Sequence, residues 1–204
     1  MLDRDDKTAL RDLKERHRDP FVVLIGTILS QRTRDEKTAV AVNKLFERFK
    51  GAEDLAEASP EEVEELIKGV GFYRSKSRSV VEVAKIIRDK YGGVVPSDME
   101  ELLRLPSVGR KTANCVLVYG YGMEAIPVDT HVHRIANRIG IVKTKTPEET
   151  ETRLKEVVPV KLWRVLNDRF VSFGRSICKP IRPKCEICSI KRGCEYYKKV
   201  RKKG

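Results

Sequence analysis

Four of the five cysteines in this chain fall close together, as Cys178, Cys185, Cys188 and Cys194 in a C-x6-C-x2-C-x5-C pattern. Thiolates at this spacing read first as ligands of a metal or a metal–sulfur cluster. The competing reading, a pair of disulfides, needs an oxidising compartment. Zinc and a [4Fe–4S] cluster both accept four cysteines, so the ligand set alone leaves them open. Zinc ribbons carry two C-x2-C knuckles and this segment has one, while Arg182, Lys184, Lys191 and Arg192 would surround a bound cluster with positive charge. Closing such a loop can fold a short segment that has little core of its own. Cys115, alone in an apolar stretch, reads as core filler.

The second chemically informative stretch is L-P-S-V-G-R-K-T-A-N-C-V-L-V-Y-G at 105–120. Pro106 and Gly109 require a tight turn between a helix ending near Leu105 and one opening at Arg110. The amides of Val108, Gly109 and the new helix start would point one way, backed by the helix dipole, and suit a phosphate oxygen. Lys111 lies in the first turn beside Arg110, where the dipole and the like charge disfavour an ammonium. A free amine there is a nucleophile able to form a Schiff base. The competing reading is a solvated charge, one of 42 Lys and Arg. Further on, P-V-D-T-H-V-H-R sets Asp129 just ahead of a helix over 130–139, where capping and catalysis are compatible.

Helices have to hold these groups. The run F-V-V-L-I-G-T-I-L at 21–29 is apolar on all sides, as a central buried helix would be. Ala39, Val42, Leu45, Phe46 and Phe49 make one stripe over 35–50. Ser59-Pro60-Glu61-Glu62 opens a helix that Gly69 ends, and Val80 to Ile87 form another closed by Gly92-Gly93. Capping boxes are expected at Ser97 with Glu100 and at Thr146 with Glu149. Leu162, Val165, Leu166, Phe170 and Phe173 trace a late helix, and Leu10 with Leu13 an early short one. No alternating run and no Asn-Gly or Asp-Gly hairpin occurs, so the expected fold class is all-α.

The 204 residues carry 42 Lys and Arg against 30 Asp and Glu, a formal charge of +12. Such a balance points to a polyanionic partner, nucleic acid first among them. The tail Lys198-Lys199-Val200-Arg201-Lys202-Lys203 is either a solvated end or an extra phosphate contact. No apolar run approaches the ~20 residues of a membrane span. The start, M-L-D-R-D-D-K, lacks the apolar core of a secretory signal, so an intracellular, cytoplasmic location is expected. One Gln and four Asn beside many Lys, Arg and Glu match a thermophile bias.

In order and spacing, the Lys111 hairpin, the V-D-T-H segment and the cysteine tail resemble the endonuclease III family of helix-hairpin-helix DNA glycosylases. The resemblance runs from Pro20-Phe21 to Cys194. It implies two helical lobes with a DNA-binding cleft between them. One is a six-helix barrel over 16–123; the other, a cluster domain, is formed by 1–15 and 124–204. By the same resemblance Cys178, Cys185, Cys188 and Cys194 hold a [4Fe–4S] cluster, and Lys111 and Asp129 are the catalytic pair. The implied partner is double-stranded DNA with damaged bases or abasic sites, bound by a nucleoid-associated monomer that engages no membrane.

The implied reaction flips a damaged base, an oxidised pyrimidine, from the stack. Lys111 attacks C1′ as the base leaves, Asp129 stabilises the cationic sugar, and proton loss at C2′ expels the 3′ phosphate. The loop Gly69-Val70-Gly71-Phe72-Tyr73 is similar to the family's insertion loop, with Phe72 as an apolar wedge or, in the competing reading, a core aromatic. S-Q-R-T-R-D at 30–35 corresponds to a second gap-filling loop. Relatives carry an S-A-Q-type order there, which leaves Gln31 or Arg32 to face the orphan base. Val108, Gly109, Arg110, Thr112 and His131 complete the implied DNA contacts. Two other functions are weighed against this one. A monofunctional mismatch glycosylase would lack a Lys at position 111, and a non-catalytic helix-hairpin-helix module would need neither Lys111 nor Asp129.

Overall fold

In the computed structural model, which describes residues 19–201, every regular element is a helix. The early helix expected around Leu10 and Leu13, the 1–15 part of the cluster domain, and Lys202 and Lys203 lie outside the described residues. The chain divides into two units, one ending at Met123 and the other beginning at Glu124.

The first unit is built around α1 (Pro20–Ser30). Asp19 starts it: its side chain accepts the Phe21 amide at 2.7 Å, and Pro20 supplies a preset φ in the first turn. All nine residues from Phe21 to Leu29 are buried, as a helix apolar on every side requires. Around it pack α2 (Asp35–Arg48), α5 (Tyr73–Tyr91) and α7 (Arg110–Cys115), with Phe21 and Phe46 meeting edge to face at 6.1 Å. The buried face of α2 is Thr38, Ala41, Val42 and Leu45, so Ala39 and Phe46 turn out half-buried. Thr38 can lie inside because its hydroxyl donates to the Arg34 carbonyl at 3.1 Å.

Between them, α3 (Ala52–Glu57) and α4 (Pro60–Ile67) pack on α5. Ser59 and Glu62 form a complete capping box at the start of α4. The short α6 (Met99–Leu103) is capped by Asp98 and not Ser97: one carboxylate oxygen takes both the Glu100 and Glu101 amides, at 2.9 and 3.1 Å. A charged acceptor serving two amides outcompetes a hydroxyl that would serve one. Helix α7 runs on into a π-helical turn, Val116–Gly120. Gly120 is required there, since a Cβ would stand 2.9 Å from Pro20 Cα at the head of α1.

The second unit contains α8 (Thr130–Ile139), α9 (Pro147–Val157), α10 (Trp163–Ser176) and α11 (Glu195–Arg201). Its core joins Ile126, Val128, Val132, Ala136, Val142, Leu154 and Leu166. Helix α10 buries Leu166, Asn167, Val171 and Gly174, whereas Leu162 and Val165, expected on its apolar stripe, are each 45% exposed. At α9, Thr146 accepts the Glu149 amide, but the Glu149 carboxylate takes the Lys145 amide, so the expected box is displaced by one residue. No helix of the described residues is long and apolar enough to cross a membrane.

Candidate functional site

Lys111 stands half-buried in the first turn of α7. The turn before it bends at Ser107, whose φ is +60°, and Gly109 caps the helix without offering a side-chain acceptor. One expectation is corrected here. The Val108 amide does not point outward, because it donates to the Leu105 carbonyl at 3.2 Å and the Val108 side chain is buried. Outward donors therefore come from the α7 start, where the ladder has no earlier carbonyl to offer. Thr112 is buried and turns its side chain inward, while Arg110 is half-buried and Gly109 exposed.

Next to the hairpin lie the loops 30–33 and 69–72. Gln31 and Arg32 are exposed, and the Gln31 side-chain amide donates to the Ser107 carbonyl at 2.9 Å. Phe72 is 64% exposed, so it is not a core aromatic. Arg32 and Phe72 both have left-handed backbone, with φ of +51° and +58°, and the guanidinium stands 5.7 Å from the ring centroid. Beneath them is a residue that the motifs do not reveal. Lys76 is buried on the inner face of α5, bonded to loop 30–33, and burial pushes its amine down to about 8. Its signal in the sequence is position: Lys76 shares the i, i+4, i+7, i+11 stripe with Val80, Val83 and Ile87.

In the second unit Asp129 is the N-cap of α8, as its place in the sequence predicts. One carboxylate oxygen, Oδ1, accepts both the His131 and Val132 amides at 2.8 Å. The approach to the cap is fixed by Asn167, which donates to the Pro127 carbonyl at 2.8 Å from inside the core. His131 is half-buried, with Nδ1 3.2 Å from the Arg134 guanidinium. Helix α10 presents Gly174 at this point, since a Cβ would meet His131 Nδ1 at 2.4 Å.

All five cysteines are free thiols, and Cys115 is fully buried. Cys178, Cys185, Cys188 and Cys194 line one pocket, together with the apolar side chains of Ile139 and Phe173 and the ring of Tyr197. Among the described residues no three His, Cys, Asp or Glu side chains are placed to hold a single metal ion. Four thiols lining one pocket are a donor set that an iron–sulfur cluster accepts. The Cys185 thiol is pushed up by burial and then by Cys178, Cys194 and Cys188. Two arginines of α8 organise the segment. Arg134 donates to the Cys178 carbonyl at 3.0 Å, and Arg138 to those of Lys179 and Pro180 at 2.7 and 2.8 Å. Arg138 also approaches Cys178 Sγ at 3.6 Å, while its own carbonyl accepts from Cys194 Sγ at 3.4 Å. Arg182, with φ of +49°, Lys184 and Arg192 are exposed around the segment.

Comparison with known proteins gives concordant results. The family model of the HhH-GPD superfamily base excision DNA repair proteins matches residues 25–160. Endonuclease III of Thermotoga maritima is 56% identical over 181 residues, covering 89% of this chain and 85% of that protein. The solved structure of a trapped endonuclease III–DNA covalent intermediate, an estranged-adenine complex, aligns with a TM-score of 0.84 at 34% identity over 95% of each chain. A thermostable thymine-DNA glycosylase also aligns, with a TM-score of 0.80 at 32% identity over 90% of this chain and 87% of that one.

Proposed function

Because the chain belongs to the endonuclease III family, within the HhH-GPD superfamily of base excision DNA repair proteins, we propose that Lys111 and Asp129 carry out its chemistry on oxidised pyrimidines in duplex DNA. The protein is a bifunctional DNA glycosylase and lyase whose partner is DNA. A damaged base leaves the stack for a pocket, which is easiest for a lesion that pairs poorly. The Lys111 amine attacks C1′ as the glycosidic bond breaks, and loss of the amine proton gives an imine to the opened sugar. The Asp129 carboxylate, which caps α8, stabilises the cationic sugar. Removal of a C2′ proton then expels the 3′ phosphate, which nicks the strand.

The Lys111 hairpin holds the backbone through phosphate contacts, with Gly109 and Arg110 at the helix start and Thr112 through its main chain. Phe72 enters the stack from loop 69–72, while Gln31 or Arg32 fills the space opposite the orphan base, and His131 contacts the strand beside Asp129. Cys178, Cys185, Cys188 and Cys194 would hold a [4Fe–4S] cluster, which supplies closure of the 178–194 segment. In this assignment the described residues up to 123 form the barrel domain and those from 124 onward the cluster domain.

One observation carries the lyase reading over a monofunctional one: an amine, Lys111, stands in the first turn of a helix capped by glycine. The thymine-DNA glycosylase shares the architecture, so fold alone does not separate the two. Borohydride reduction on duplex bearing an oxidised pyrimidine or an abasic site should trap a covalent protein–DNA adduct. Lys111→Gln should abolish trapping and nicking while keeping DNA binding. Base release without any adduct from the wild-type chain would make it monofunctional. Trapping by Lys111→Gln would move the nucleophile to another amine.

A further inference from the structure

Lysine is seldom buried without a paired charge, yet Lys76 is only 7% exposed. Its ammonium donates to the Leu29 carbonyl at 2.8 Å, to the Gln31 carbonyl, and to Thr33 Oγ1 at 3.1 Å. Three protons meet three acceptors, so the donor set is complete. Leu29 and Gln31 stand at the end of α1, where helix carbonyls lack partners of their own. Lys76 thus fixes the direction in which the chain leaves α1. Thr33 Oγ1 also accepts the Gly71 amide at 3.1 Å, so one hydroxyl ties loop 30–33 to loop 69–72. The two backbones are in such close approach that a Cβ on Gly71 would stand 2.8 Å from the Arg32 carbonyl. What this joint presents outward is Gln31, Arg32 and Phe72.

We propose that Lys76 is a positioning residue, which locks loops 30–33 and 69–72 into one rigid wedge so that Phe72 and the Gln31–Arg32 pair enter the duplex together. The proposal rests on the DNA glycosylase reading above. Without the ammonium, the buried Leu29 carbonyl loses its donor, the part-buried Gln31 carbonyl and Thr33 hydroxyl lose theirs, and the loops part to hydrate them. Loops that must be ordered after contact bind more weakly than loops ordered beforehand.

The test uses duplex with a tetrahydrofuran abasic analogue opposite 2-aminopurine, whose fluorescence reports unstacking without any chemistry. Lys76→Met keeps the apolar stem and removes the donors. It should weaken binding to this duplex about tenfold, the weight of one or two hydrogen bonds to a charged group, and reduce the aminopurine signal in the saturated complex. Thr33→Val should act in the same direction, and it decides the matter alone if Lys76→Met does not fold. Because the loops act as one body, Lys76→Met combined with Phe72→Ala should lose no more than the worse single variant. An unchanged aminopurine signal in both Lys76→Met and Thr33→Val, or additive losses in the double variant, would overturn the proposal. Borohydride trapping on single-stranded abasic DNA reports the lyase separately. A wild-type chain that traps nothing overturns the lyase reading, while binding and fluorescence still decide the wedge.

Discussion

Asp129 engages two amides through one carboxylate oxygen, so a single side chain serves both the helix and the reaction assigned to it. Asparagine caps helices about as well as aspartate, so Asp129→Asn separates the structural duty from the chemical one. The variant is expected to stay within about 1 kcal/mol of wild-type stability. Its single-turnover base release should fall by about a hundredfold or more, as when other groups that stabilise transition-state charge are removed. A thermal melt alongside the assay checks both halves, and full activity in a folded variant would leave Asp129 as a cap alone. Lys111, Asp129 and the cysteines could be singled out in the sequence because the chemistry proposed for them demands particular residue types at short spacings. Lys76 shows in the sequence only as a charge on an apolar stripe, because its acceptors lie 43 to 47 residues away. Thr112 and Val108 show the converse: a motif names the residue, but the fold decides that side chain and amide are already engaged.

Among the elements, α8 has the most duties. Asp129 opens it, and near its end Arg138 touches the segments of both Cys178 and Cys194. The 178–194 segment has few apolar residues directed inward: Ile181 and Ile187 are 81% and 69% exposed. Its order therefore depends on the four thiols and the two arginines. Anaerobically purified protein is expected to be brown and to contain about four irons per chain. Cys188→Ser should lose the iron and render residues 178–201 more sensitive to protease. Colourless protein with one zinc would replace the cluster by a mononuclear site. The periodic apolar pattern foretold most helices, while the capping contacts at two helix starts differ from the expected ones. Asp98 displaces Ser97, and Glu149 serves Lys145. The π-helical turn at Val116–Gly120 left a single trace, the glycine that admits Pro20.

At the scale of the whole molecule the +12 charge sets how binding responds to salt. Contacts to phosphate release counterions, so affinity for any duplex should fall steeply between low and physiological ionic strength. Neutralising Lys198, Lys199, Lys202 and Lys203 together should weaken damaged and undamaged duplex alike. It should also flatten the salt slope by about 0.9 for each phosphate the tail no longer neutralises. Lys198 already stands 3.4 Å from the Glu195 carboxylate, which offsets part of its charge. An unchanged slope in titrations at several salt concentrations would mean that the tail is solvated and touches no phosphate. Charge and all-α architecture were readable from composition and periodicity. The joining of the loop at 30–33, the loop at 69–72 and the turn at Ser107 depends on tertiary contacts and could not be read that way.

Left-handed torsions fall into two groups in this molecule. Glycine takes them at or just after helix ends, at Gly92, Gly93, Gly122 and Gly140. The four non-glycine cases among the described residues are Arg32, Phe72, Ser107 and Arg182. Three lie on the loops and hairpin that we propose touch DNA, and the fourth lies between Cys178 and Cys185. Glycine at any of them would relieve roughly 1–2 kcal/mol of crowding between Cβ and the main chain. The molecule forgoes that stability to keep a side chain at each point. Within the first unit, a map of backbone angles, with no knowledge of charge, hydrophobicity or motif, would thus pick out the two loops and the hairpin that we propose touch DNA.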